Sequence, residues 1–440
     1  MFGNESLVGG SFRAVIFILL TTALLACRDA AALDRPAPEP TASPESEISP
    51  GRLAYIGGDG NVYVTSADLT NKVAVTTDAT AAWEDSGRSY QRLAWSTGGQ
   101  LAFASVTRLA HDRAESSLYV TAAPGQPARL IGQSDAHFVI YVYWSPQPCP
   151  GRPTCRHLAY LIEEAEDITL RLVEIDGAAV DNQIIGFGWP YYFSWAADGG
   201  SILWHTGLNE AAQLARYELN RAVAQPLPFE PAEFMAPAWS PTAPLWLAVS
   251  REDGETYLHL FEQDTPQPIA PISGDLTAFS WAPDGQQVAY ASKAKPTDRF
   301  YGPIYHYDRT SGQSSQLTAT SLQTLAFFWD PGGQRLGYLT LLTMPHNVEW
   351  MQWRVIDVAQ GEDRGFMSFN PSPQLRFVVD SFNQYSQSHR LWSPDGRYLV
   401  YGERNETTGQ TQVRLIDTWD EDGRNSILVD EGSMGFWSWE

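Results

Sequence analysis

Seven times along the chain a tryptophan on an apolar segment is followed, several residues later, by a short β-prone run. The closest copies are Trp392-Ser393-Pro394-Asp395-Gly396, leading to Leu399-Val400-Tyr401, and Trp281-Ala282-Pro283-Asp284-Gly285, leading to Val288-Ala289-Tyr290. Looser copies start at Trp95, Trp144, Trp195, Trp239 and Trp329. A unit this small cannot bury its own apolar face and must stack on its neighbours.

Each copy reads as a β-hairpin. In Ser393-Pro394-Asp395-Gly396 the serine suits the first turn position, proline presets φ at the second, and glycine closes a type I turn without steric cost. A second pair of strands follows in most units, as in residues 117–121 with 128–131 and residues 412–416 with 426–429. Four strands per unit make the blade of a β-propeller. No stretch beyond residue 50 shows sustained helical periodicity with caps, so the expected class is all-β.

The two ends set the blade count. Residues 50–55 read as a motif lacking its tryptophan strand, and Gly435-Phe436-Trp437-Ser438-Trp439-Glu440 reads as that missing strand. The C-terminal strand is therefore expected to pair with the N-terminal ones and close an eight-bladed ring of four-stranded blades. Residues 51–440 divided by eight give about 49 per blade, within the ~40–50 of such repeats. Seven blades, the alternative, would need about 56 each. The repeated tryptophans are expected to pack between adjacent sheets, since one buries roughly 150–250 Å².

The apolar run Ala14–Ala26 has the length of a signal-peptide core, too short for a comfortable span, and ends at Cys27. Leu24-Leu25-Ala26-Cys27 resembles the bacterial lipobox. That resemblance implies a signal peptide over 1–26 and a diacylated Cys27, with the chain held on the outer side of a bacterial membrane. Residues 27–50, rich in Pro, Ala, Ser and Glu, suit a semi-extended tether, leaving 51–440 as the propeller. Cys149 and Cys155 close a short Pro/Gly loop and read as a disulfide of an exported protein. Their spacing fits neither a redox pair nor a zinc pattern.

The Trp-Ser-Pro-Asp-Gly-x-x-Leu-Val-Tyr pattern at 392–401 and its copies resemble the propeller repeat of the TolB family, shared with the N-terminal propellers of dipeptidyl peptidase IV and the prolyl oligopeptidases. The likeness covers about 51–440. It implies the architecture and a general habit of binding proteins, and assigns no functional residue here. Neither the α/β domain that precedes the TolB propeller nor the peptidase hydrolase domain is legible in the sequence.

No nucleophile elbow, zincin motif or phosphate loop is present. The eight histidines are scattered, though His137 or His389 could converge near a channel. No cofactor or metal is expected. A net charge of −22 with no basic run argues against nucleic acid.

Function is then expected in the loops that break the repeat. Three stand out: Trp189, Tyr191 and Tyr192 in 188–192; His346 and Trp350 around 343–350; and Phe382, Tyr385 and His389 in the insertion 369–389. These aromatics either anchor a partner or cap the channel. The expected function is a non-catalytic, monomeric scaffold binding an envelope protein or peptide. The alternatives are a polysaccharide lyase or hydrolase built on the channel, or a sensor or accessory subunit of an envelope transporter.

Overall fold

In the computed structural model, the residues described are 51–440 apart from 81–86, 110–112, 135–137, 165–166, 177–178, 273–275, 294, 296, 345–347 and 425. The signal segment, Cys27, the tether, His137 and His346 lie outside them. Among the described residues no helix is long and apolar enough to cross a membrane.

The turn chemistry acts as its residues dictate. The amide of Gly396 donates to the Ser393 carbonyl at 2.8 Å and that of Gly285 to the Ala282 carbonyl at 2.9 Å. Both glycines then take positive φ, 72° and 67°, where a side chain would be strained. Each turn delivers the motif tryptophan opposite the apolar run that follows: Trp281 faces Val288, Trp329 faces Leu336 and Trp195 faces Ile202. Successive strands pair antiparallel in simple meanders.

The result is a seven-bladed propeller, which corrects the expected eight. Six sheets have four strands, and the seventh has six because Ser426–Trp437 is one unbroken strand. Its first half pairs with Thr411–Asp417 and its second half with Arg52–Gly57. Residues 426–429 and 435–440, read as two strands, are one, and within it Gly432 is a close approach: a Cβ there would lie 2.3 Å from the Ile56 carbonyl oxygen. The blade expected at Trp392 lacks an inner strand of its own and keeps only an isolated bridge to Leu399. Closure by the C-terminus is present: Leu53 faces Trp437 and Ala54 faces Phe436. The Arg52 amide donates to Ser438 Oγ at 2.9 Å, and the Ser438 amide returns a bond to the Arg52 carbonyl.

The tryptophans tie neighbouring repeats together by one rule. Each indole N–H donates to the carbonyl of the residue just before the tryptophan of the preceding repeat. Trp144 bonds Ala94, Trp195 bonds Tyr143, Trp281 bonds Ala238, Trp329 bonds Ser280, Trp392 bonds Phe328 and Trp95 bonds Phe436, all at 3.0–3.2 Å. Trp239 and Trp437 break the rule; their buried indole N–H groups have no partner.

The class also holds a surprise. Two short helices, α1 (Pro373–Asp380) and α2 (Phe382–Ser388), occupy the insertion where no helix is expected. Ser372 caps α1 by accepting from the Leu375 amide, and Pro373 sits in the first turn. Leu375, Val378, Val379 and Phe382, spaced i, i+3, i+4 and i+7, are all buried.

Candidate functional site

The insertion runs into the central channel and plugs it. Gln384 pairs with the backbone of Phe193 as a strand would, its Nε2 donating to the carbonyl at 2.7 Å and its Oε1 accepting from the amide at 2.8 Å. Tyr141 Oη donates to Ser388 Oγ at 2.5 Å, Tyr143 Oη donates to the Gln387 carbonyl at 3.0 Å, and Gln387 Nε2 donates to the Pro237 carbonyl at 3.2 Å. Phe382 packs on Phe327 and Phe328 with ring centroids 4.6 and 5.4 Å away. Contacts thus reach inner strands around much of the ring, and satisfied polar groups of this kind fix one arrangement.

His389 belongs to this plug. Its Nε2–H donates to the Leu93 carbonyl at 2.8 Å, and Ser388 Oγ lies 2.6 Å from Nδ1. Burial pushes its pKa down to about 3, so the ring is neutral and a poor base at neutral pH.

The plug separates two recesses. On the hairpin side, a cavity of about 330 Å³ is lined by eight tryptophans, four prolines and residues Ser386–Trp392. On the opposite side a cavity of about 600 Å³ is lined by Arg88, Arg92, Arg108, Tyr90 and Phe377, among others. Arg92 lies over the Phe377 ring at 4.0 Å, and Arg88 pairs with Asp78 at 2.7 Å.

The structure disperses the expected loop aromatics. Tyr191, Phe382, Tyr385 and His389 are core residues, 7% exposed or less, and offer no docking surface. Phe382, Tyr385 and His389 pack within the plug, whereas Tyr191 packs on Trp204 inside its own sheet, with centroids 5.9 Å apart. Tyr192 stacks on Phe234 with centroids 4.7 Å apart and is half-buried, as is Trp350. Trp189 is 62% exposed, and Ile184 and Phe187, close by in sequence, are exposed as well.

Cys149 and Cys155 form a disulfide that closes an extended hairpin, with Cα atoms 5.3 Å apart. Cys149, His157 and Glu174 also come within metal-ligating reach of one another. The Cys149 sulfur is committed to the disulfide and is not available as a thiolate ligand, so the trio does not fit a metal. Among the described residues a Ser–His–carboxylate line is present: Ser250 Oγ lies 2.8 Å from His259 Nδ1, and His259 Nε2 lies 3.2 Å from Glu252. Ser250 is buried and lines neither recess.

Sequence reasoning passed over Arg390, among the described residues the only Asp, Glu, Lys or Arg lining the smaller recess. A signal for it existed. Two residues before each motif tryptophan the chain carries Leu93, Val142, Phe193, Pro237, Phe279, Phe327 or Gly435, and only the Trp392 copy has a charge there.

Fold and site together define a β-propeller whose channel is closed by its own insertion and whose open recesses lie at either mouth. No known family's model matches the chain. It is 27% identical over 141 residues to a dipeptidyl-peptidase 5 of Porphyromonas gingivalis, a stretch that is 30% of this chain and 18% of that protein. Among solved structures, a prolyl endopeptidase aligns with a TM-score of 0.51 at 11% identity, covering 78% of this chain and 49% of that one. TolB from Acinetobacter baumannii aligns at 12% identity and a TM-score of 0.39, covering 80% and 82%. The likeness to the prolyl endopeptidase extends to the propeller fold.

Proposed function

We propose that the protein is a non-catalytic scaffold that binds a protein or peptide, held on the outer side of a bacterial membrane by lipid on Cys27. The plugged channel carries this reading. A propeller that works as an enzyme needs an open cleft with convergent acid–base groups. Here the axis is filled by side chains bonded to the inner strands, and the buried His389 is held neutral. Recognition is left to the mouths and the exposed loops. Trp189, with Phe187 and Ile184 nearby in sequence, supplies the kind of exposed aromatic surface that anchors partners.

Crosslinking in intact cells, followed by pull-down, tests the reading. Capture of a defined envelope partner is expected, reduced several-fold by Trp189→Ala combined with Phe187→Ala. Turnover of glycans or peptides by the purified protein, with no partner captured, would favour the enzyme alternative instead. Loss of fatty-acid labelling in Cys27→Ala is the expected check on the tether.

A further inference from the structure

Arg390 sits at the floor of the tryptophan–proline recess with nothing to neutralise it. Its guanidinium makes no hydrogen bond and no ion pair among the described residues, and its partner is the Trp439 ring, 4.2 Å below. Among the described residues no aspartate or glutamate lines this recess. Leaving a largely buried charge unpaired is costly, and a carboxylate arriving from outside would remove that cost. Burial pushes the Arg390 pKa down to about 10, which still leaves it charged at neutral pH.

Two further groups lining the same recess are unsatisfied. The Ser386 hydroxyl and the Trp239 indole N–H are buried without partners. Trp239 is one of two motif tryptophans that depart from the indole-to-carbonyl rule, and one χ1 rotation re-aims a serine hydroxyl. The remaining wall is mostly tryptophan and proline, with serine, threonine and glutamine side chains between them. A cationic ligand, the usual guest of an aromatic cage, is disfavoured because Arg390 already occupies the Trp439 face as a cation.

Shape selects among carboxylates. At about 330 Å³ the recess is at the small end of ligand pockets. The plug closes the channel behind it, so a chain can end there but cannot thread through. We infer that this mouth binds the C-terminal carboxylate of a peptide, with Arg390 as counter-charge and the tryptophan–proline wall around the terminal side chains. This deepens the scaffold reading, on which it rests, by naming one class of partner.

The test uses the full chain and a pool of N-acetylated tripeptides randomised at all three positions, offered as free acids and as matched C-terminal amides. Retained peptides are identified by mass spectrometry. Free acids are expected to be retained and amides to bind roughly tenfold or more weakly, the loss of one charge-assisted contact. Arg390→Met is expected to abolish the preference and Arg390→Lys to restore part of it. If Arg390→Met does not fold, quenching of the native protein's tryptophan fluorescence by selected acids, and not by their amides, decides the matter. Equal retention of acids and amides, or retention of neither, overturns the inference. A partner still captured in cells would then leave the scaffold reading standing.

Discussion

The tryptophan ring and the helical plug meet at the smaller recess, yet they are held in different ways. The ring is built from one interaction repeated: an indole N–H reaching back to the preceding repeat, six times at nearly the same distance. The plug uses contacts that occur once each, such as the strand-like pairing of Gln384 with Phe193 and the Tyr141–Ser388–His389–Leu93 chain. Repetition distributes stability, so each indole bond is one of several equivalents. The plug concentrates its specificity in a few groups, each without a substitute.

The largest way to break this comparison is to open the ring. Deleting 433–440 removes the half-strand that pairs with Arg52–Gly57, together with Trp437 and Trp439. Loss of the cooperative thermal transition is expected. An unchanged melt would mean that closure contributes little.

A pair of substitutions sharpens it. Trp392→Phe leaves the Phe328 carbonyl without its donor, and a loss of about 1–3 kcal/mol by denaturant unfolding is expected. Trp239→Phe removes an N–H that has no partner, so its cost should stay under about 1 kcal/mol. Equal losses would show that the indoles act by volume alone.

A pH dependence from the plug adds a further test. An unfolded histidine titrates near 6.5, whereas His389 in place is pushed down to about 3. Between those values the unfolded chain binds the extra proton, so stability declines as pH falls from about 6.5 towards about 3. His205, pushed down to about 4 by burial, acts with the same sign. His389→Gln is expected to give a shallower acid limb in Tm against pH than the native chain.

The ring was legible in the sequence and the plug was not, for a physical reason. Turn chemistry at Ser393–Gly396 and the spacing of the tryptophans are local, and the repeat displays them again and again. The count of blades was harder, because 426–429 and 435–440 read as two strands and form a single one. The helices did leave a trace, in the Ser372 cap, Pro373 and the spacing of Leu375, Val378 and Val379, but over two short turns it was faint beside the strand signal. Burial of Phe382, Tyr385 and His389 depends on where the insertion travels, which no local pattern encodes. Arg390 is the opposite case: its departure from the repeat was visible, and its meaning emerged only once it lay in a recess without a carboxylate.

Hydrogen–deuterium exchange across 381–392 tests the central claim, that the channel is closed by its own insertion. The amides of Tyr385 and His389, bonded to the Ser381 and Tyr385 carbonyls, are expected to be as protected as those of the inner strands 191–195 and 324–329. Exchange as fast as that of exposed turns would contradict the plug, and with it the reading of this propeller as a closed scaffold.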